Sequence, residues 1–236
     1  MRQIPLAVEL RDSATFATFS AGPNGLAVAF LKTLAAGSGR GCWLWGAAGS
    51  GKSHLLQAAC AAAAESNRLA AYLPMTQLAP MGPEALSGWS GQDLVAVDEL
   101  DVIVGDSRFE TPLFTLYNEL ADQGGTLLVA SEAPPASLEF SLPDLRSRLA
   151  AGAVFQLAAP DEDDAVDALR LRARHRGLEL PEDTARYLLR RVPRDMASLC
   201  EWLDRLDLAS LAAQRRLTVP FVRQVLAAET DPGSGG

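Results

Sequence analysis

Histidine and cysteine are scarce in this chain, and long apolar runs are missing altogether. Only two histidines occur, His54 and His175, and neither has a second ligand at metal-binding spacing, so a zinc site is not expected. The three cysteines (Cys42, Cys60, Cys200) are odd in number, far apart and set among apolar neighbours. That pattern suits buried thiols in a reducing compartment rather than a disulfide framework. No apolar stretch approaches the roughly 18 residues of a membrane helix, and the start MRQIPLAVEL is too short and polar for a signal peptide. A cytoplasmic protein without membrane attachment is the expectation.

Positive charge is also in deficit. The formal net charge is −8, so the chain lacks the general attraction to phosphate backbones that nucleic-acid binding uses, and direct sequence-specific DNA binding is not expected. The basic residues gather late, in RLRARHR (170 to 176), RYLLRR (186 to 191) and at Arg215 and Arg216, with a helical spacing that reads as solvated helix faces. What is present is an ordinary globular composition, 48% apolar and 21% charged over 236 residues, enough for one large domain and a small one.

Strand-like runs recur with helical segments between them. GCWLWG (41 to 46), LAAYLP (69 to 74), DLVAVDEL (93 to 100), TLLVASEAPP from 126 and AVFQLAAP from 153 are five candidate strands. SHLLQAACAAAAES and SRFETPLFTLYNELADQGG are the clearest helices between them, and MTQLAPMGPEALSGWSGQ is a broken connection with room for one short helix. This cadence predicts an α/β domain, a parallel five-stranded sheet flanked by helices. After Pro160 four helical patterns follow without a strand, predicting a small all-helical lid domain. The division expected is a tail over 1–13, a nucleotide-binding domain over 14–160, a lid over 161–229, and a flexible end over 230–236 in which TDPGSGG resembles a cloning remnant.

GAAGSGKS (46 to 53) fits the phosphate-binding loop pattern, after a strand and before a helix. Gly46, Gly49 and Gly51 let the backbone turn and aim N–H groups, with that of Ser50 among them, at one anion. Lys52 adds a charge for the outer phosphates, and the Ser53 hydroxyl can reach Mg²⁺. ATP or ADP with Mg²⁺ is the implied cofactor. A strand ending in Asp98 and Glu99 supplies one carboxylate for the metal and a second to orient water.

GAAGSGKSHLLQA, VDELD, LVASEAPP, LPDLRSRL and the helical tail together resemble the AAA+ P-loop NTPase family, specifically its DnaA-related branch. His54 after the hydroxyl residue and the double proline at 134 and 135 carry that narrower likeness. HRGLELPED and QRRLTVPFV resemble lid segments of stand-alone regulatory members of the branch, which lack the flanking domains of DnaA. The resemblance implies that Ser131 sits at sensor 1 and that Arg148, with Arg146 as nearest competitor, is an arginine finger acting in trans. It also implies an adenine pocket around Phe19, Gly22 and Asn24, with Met196 from the lid. At sensor 2 the chain departs from the branch: Ala197 stands where an arginine is expected, leaving Arg194 as substitute and own-site hydrolysis open.

The tail segment Gln3, Ile4, Pro5, Leu6, Ala7 and Val8 resembles peptides that dock on the DNA polymerase III sliding clamp (beta subunit). Gln3 would meet a polar pocket, Leu6 and Val8 an apolar one, and Pro5 would reduce the entropy lost on binding. The implied partners are DnaA and the clamp. The implied function is clamp-dependent stimulation of ATP hydrolysis by DnaA, hence negative regulation of replication initiation from a nucleoid-associated cytoplasmic position. An autonomous AAA+ ATPase or helicase loader is the alternative, a DNA-binding initiator a weaker one, and a homodimer remains open.

Overall fold

The computed structural model describes residues 14–39, 41–193 and 196–230, without the side chains at 196, 197, 229 and 230. Contacts divide the chain into two units that meet between Ala159 and Pro160.

In the first unit, short 3₁₀ turns at Phe16–Thr18 and Gly22–Asn24 lead into α1 (Gly25–Ala35). Then come β1 (Gly41–Trp45), α2 (Lys52–Glu65), β2 (Ala70–Pro74), α3 (Met75–Leu78), β3 (Leu94–Asp98), α4 (Ser107–Asp122), β4 (Thr126–Ser131), α5 (Pro143–Leu149) and β5 (Ala153–Gln156). The five strands form one parallel sheet in the order β2-β3-β4-β1-β5. The expected sheet is therefore present. The 75–92 connection is more broken than one helix. After the four-residue α3 come 3₁₀ turns at Ala79–Met81 and Pro83–Leu86, because Pro80 and Pro83 cannot donate to a longer helical ladder.

Strand parity distributes the core. Cys42, Leu44, Leu94, Ala96, Leu128 and Ala130 face α1 and α2, meeting Leu31, Leu34, Leu55, Leu56 and Cys60. Trp43, Val95, Val97, Leu127 and Val129 point the other way onto Leu113, Leu116 and Leu120 of α4 and Leu145 and Leu149 of α5. Burial on both faces explains why the inner strands β1, β3 and β4 read as continuous apolar runs, whereas the edge strand β5 alternates half-buried and exposed residues. Arg68 ties the layers: its guanidinium donates to Leu34 O and Ala35 O at the end of α1 and to Asp93 O before β3.

The second unit contains α6 (Glu162–His175), α7 (Glu182–Leu189), α8 (Met196–Ala213) and α9 (Val219–Thr230) around its own core, including Leu169, Leu188, Leu203 and Phe221. Asp161 caps α6 in a reciprocal box with Asp164, placing the acidic DEDD at the positive end of the helix. Several late arginines are ion-paired within the unit: Arg186 joins Asp163 at 2.7 Å and Glu182 at 2.9 Å, and Arg176 joins Asp204 at 2.6 Å. Among the described residues no helix is long and apolar enough to cross a membrane.

Candidate functional site

The phosphate loop leaves the end of β1 and returns as α2. Gly46 must lack a side chain, since a Cβ there would stand 2.6 Å from Leu157 O. Gly51 has φ +94°, a left-handed conformation, and a Cβ on it would meet the Phe19 ring at 2.6 Å. No side chain caps the α2 N-terminus at Gly51. Lys52 is buried and its Nζ donates to Gly46 O (2.6 Å) and Ala47 O (3.0 Å), folding the ammonium across the loop. The Ser50 hydroxyl is buried and has no hydrogen-bond partner among the described residues. A cradle of uncapped helix N–H groups, a central ammonium and an unmatched hydroxyl fits a nucleotide phosphate chain.

Asp98 lies on the same strand face as Leu94 and Ala96, which directs it toward α2. It is 1% exposed and densely hydrogen-bonded. Tyr72 Oη donates to Asp98 Oδ2 at 2.6 Å and Glu99 N donates to Oδ1 at 2.9 Å, and the Ser53 hydroxyl lies near enough to lower the carboxyl's pKa. Burial pushes the Asp98 carboxyl above its ordinary range, and Ser53, Tyr72 and the backbone pull partly back. Tyr72 is raised in turn, first by burial and then by the Asp98 charge. Ser53 and Asp98 are thus neighbours, and they are the pair that would hold Mg²⁺. Tyr72 was not among the sequence-derived candidates. Its signal is parity: it pairs with Ala96, so on adjacent strands it shares a face with Asp98.

Glu99 turns away from that face. Its backbone is left-handed at φ +57°, a conformation that costs a residue with a side chain about 1–3 kcal/mol and is found disproportionately at functional sites. Its Oε2 accepts from Thr76 N at 3.1 Å, at the start of α3. Nearby, Asp101 accepts from Glu132 N at 2.8 Å and steadies the segment after β4, another contact not foreseen.

Ser131 ends β4 beside Trp45 and is fully buried. Its hydroxyl accepts from Trp43 Nε1 at 2.6 Å and donates to Ala133 O at 2.7 Å. To meet a phosphate it would have to release Ala133. Asn24 is likewise engaged: its amide exchanges two bonds with Ala158, at 3.1 and 2.9 Å, pinning the chain beyond β5. Phe19 stacks against His54 with ring centroids 5.4 Å apart, and His54 Nε2 lies 2.8 Å from Thr15 O. These contacts anchor the Thr15–Phe19 segment over the phosphate loop.

Arg148 belongs to the opposite end of the sheet. It is the penultimate residue of α5, shortly before β5 begins, and lines a cavity with Gly39 and Gly125, which lead into β1 and β4, and with Leu127 near the start of β4. The phosphate loop leaves the far end of β1, so a five-residue strand of about 3.3 Å per residue, roughly 16 Å, separates the two. Arg148 is exposed and rests on the rings of Phe114 (5.1 Å) and Tyr117 (6.0 Å), without an ion pair among the described residues. Arg146 is exposed on the same helix. The expected tail residues 3–8, Arg194 and the Met196 and Ala197 side chains lie outside the described residues.

Residues 161–226 match the family model described as the Hda lid domain. The chain is similar to domain III of the Thermotoga maritima replication initiation protein DnaA. That match has a TM-score of 0.74 at 23% identity, covering 92% of this chain and 97% of the other. AMPPCP-bound DnaA from Aquifex aeolicus matches with TM-score 0.67 at 22% identity, over 86% of this chain and 67% of that one. The Thermotoga maritima RuvB branch migration motor follows at 0.58 and 15%, over 89% and 68%. At these identities the structural likenesses establish the fold alone.

Proposed function

We propose that this chain, a DnaA-related AAA+ protein with an Hda-type lid, acts on DnaA by lending it an arginine. Arg148 completes the ATP site of a neighbouring DnaA, and hydrolysis there leaves the initiator in its ADP form. The observation that carries this reading is the placement of Arg148. It is exposed, free of ion pairs among the described residues, and a strand's length from its own phosphate loop, so only a second molecule's nucleotide is within its reach. A guanidinium arriving at the transferring phosphoryl group neutralises charge spread over its oxygens, an effect of roughly three to five powers of ten in rate.

The chain's own nucleotide, held by the 46–53 loop with Mg²⁺ between Ser53 and Asp98, serves a structural role. When bound, it supplies the charge that Lys52, the α2 N-terminus and the Ser50 hydroxyl receive. Glu99 tied to Thr76 and Ser131 tied to Ala133 favour this over brisk turnover. Residues 3–8 recruit the protein to the sliding clamp on DNA.

The test measures hydrolysis of DnaA-bound ATP with DNA-loaded clamp for wild type, Arg148→Ala and Gln3→Ala. Both variants are expected to fail, and only Gln3→Ala to lose clamp affinity. Unchanged stimulation by Arg148→Ala would reject the assignment. An autonomous ATPase is the second reading, favoured by the intact Ser53–Asp98 pair. It predicts fast ATP turnover by the isolated protein without clamp or DnaA.

A further inference from the structure

Glu110, Phe114 and Tyr117 stand at i, i+4 and i+7 on α4, so they form one stripe along the helix. All three act on α5. The Glu110 carboxylate is 1% exposed and accepts from Gly105 N (2.6 Å), Ser141 N (3.1 Å) and Leu142 N (2.7 Å), the last two being the residues that lead into α5. At the other end of α5, Phe114 and Tyr117 lie against the Arg148 guanidinium. Leu145 and Leu149 bury the intervening face in the core.

A helix of seven residues has too few internal bonds to hold its own direction, so these external contacts set it. The choice of aromatic rings at Arg148 is informative. A carboxylate there would neutralise the guanidinium, and that pair would have to break before the charge could serve elsewhere. A ring face restrains the cation through its quadrupole and leaves its charge and N–H groups available. The adjoining cavity of about 440 Å³, lined by Tyr117, Leu120, Leu127 and Arg148, gives the side chain room to change direction.

We propose that the Glu110–Phe114–Tyr117 stripe is a positioning device for Arg148: the carboxylate fixes where α5 starts, and the two rings hold the guanidinium outward and unpaired. This rests on the reading of Arg148 as the group that acts on DnaA-bound ATP. Phe114, Tyr117 and Glu110 are positioning residues; they touch no nucleotide.

The test uses the full chain with DnaA–ATP and DNA-loaded clamp, comparing Phe114→Leu/Tyr117→Leu, Tyr117→Phe and Arg148→Ala. The double variant should lower the maximal stimulated rate about tenfold, with the half-saturating concentration within about twofold of wild type, because reach is lost and docking is kept. Tyr117→Phe retains the ring and should retain the rate. In the isolated protein, the ring-current upfield shift of the Arg148 side-chain protons should persist in Tyr117→Phe and vanish in the double variant, a readout that needs no partner. If the double variant stimulates like wild type while Arg148→Ala is silent, the device is rejected and the function stands. If Tyr117→Phe fails as badly as the double variant, a ring-based device is also rejected. If Arg148→Ala stimulates normally, the reading beneath the device falls and takes it along.

Discussion

Replacing Glu110 by glutamine removes one acceptor oxygen and the charge while keeping the shape, so the cost can be worked from the bonds themselves. Oε1 serves Gly105 N and Ser141 N, and Oε2 serves Leu142 N. The amide of Glu110→Gln has a single oxygen. Its better orientation keeps the two bonds on the Oε1 side and turns its NH₂ toward the Leu142 N–H, two donors face to face. A hydrogen bond to a charged group contributes about 1.5–3 kcal/mol, and an orphaned buried donor costs about 1–3 kcal/mol; the loss overlaps, giving roughly 2–4 kcal/mol. For a unit of this size each kcal/mol moves the midpoint about 2–4 °C, so thermal unfolding of Glu110→Gln followed by circular dichroism should fall by roughly 5–15 °C. Because the broken bond is the one at Leu142, amide hydrogen exchange should also quicken along α5 before it quickens in α4. A midpoint within about a degree of wild type would refute the argument that this carboxylate organises the entry to α5.

Three further outcomes follow from the same geometry. Lys52→Met should weaken binding of a fluorescent ADP analogue by about 30-fold or more, read by anisotropy, since the loop loses its only ammonium. Asp98 holds its proton to higher pH in the folded protein than in the unfolded chain. In the window above the ordinary carboxylate value, the folded state therefore binds more protons, and stability falls as pH rises through its raised pKa. Asp98→Asn should flatten that fall in urea unfolding without nucleotide and with chelator; an unchanged slope would count against burial as the cause. Cys42 and Cys60 are buried thiols pushed up to about 12. At pH 8 about one in ten thousand of each is thiolate, so a disulfide reagent should label both only on unfolding, and rapid native labelling of either would contradict the packing.

The loop at 46–53 was legible because its chemistry is contiguous: glycines, lysine and serine act within eight residues, and the flanking strand and helix carry their own periodic signals. The strands and the helical second unit were legible for the same reason, since the inner strands, buried on both faces, leave apolar runs that need no knowledge of their partners. Asp98 could be named from its place at a strand end, but its setting could not. Tyr72 reaches it from 26 positions away, through a register that strand sequences do not encode singly. The hydroxyl of Ser131 was visible as a residue, but its use was not, because Trp43 approaches from 88 positions off.

Local sequence therefore determined which segments would be strand, helix and phosphate loop, since those follow from propensity, periodicity and backbone freedom within a few residues. Tertiary packing decided which polar groups are already engaged and where the remaining charge faces. Asn24 proved to be an anchor for Ala158, Glu99 turned to the α3 backbone, and Arg148 came to rest on two rings at the end of the sheet remote from the phosphate loop. Hydrogen bonds and ring contacts depend on the distance and direction between atoms far apart in the chain, and those quantities exist only once the sheet order and the helix crossings are set.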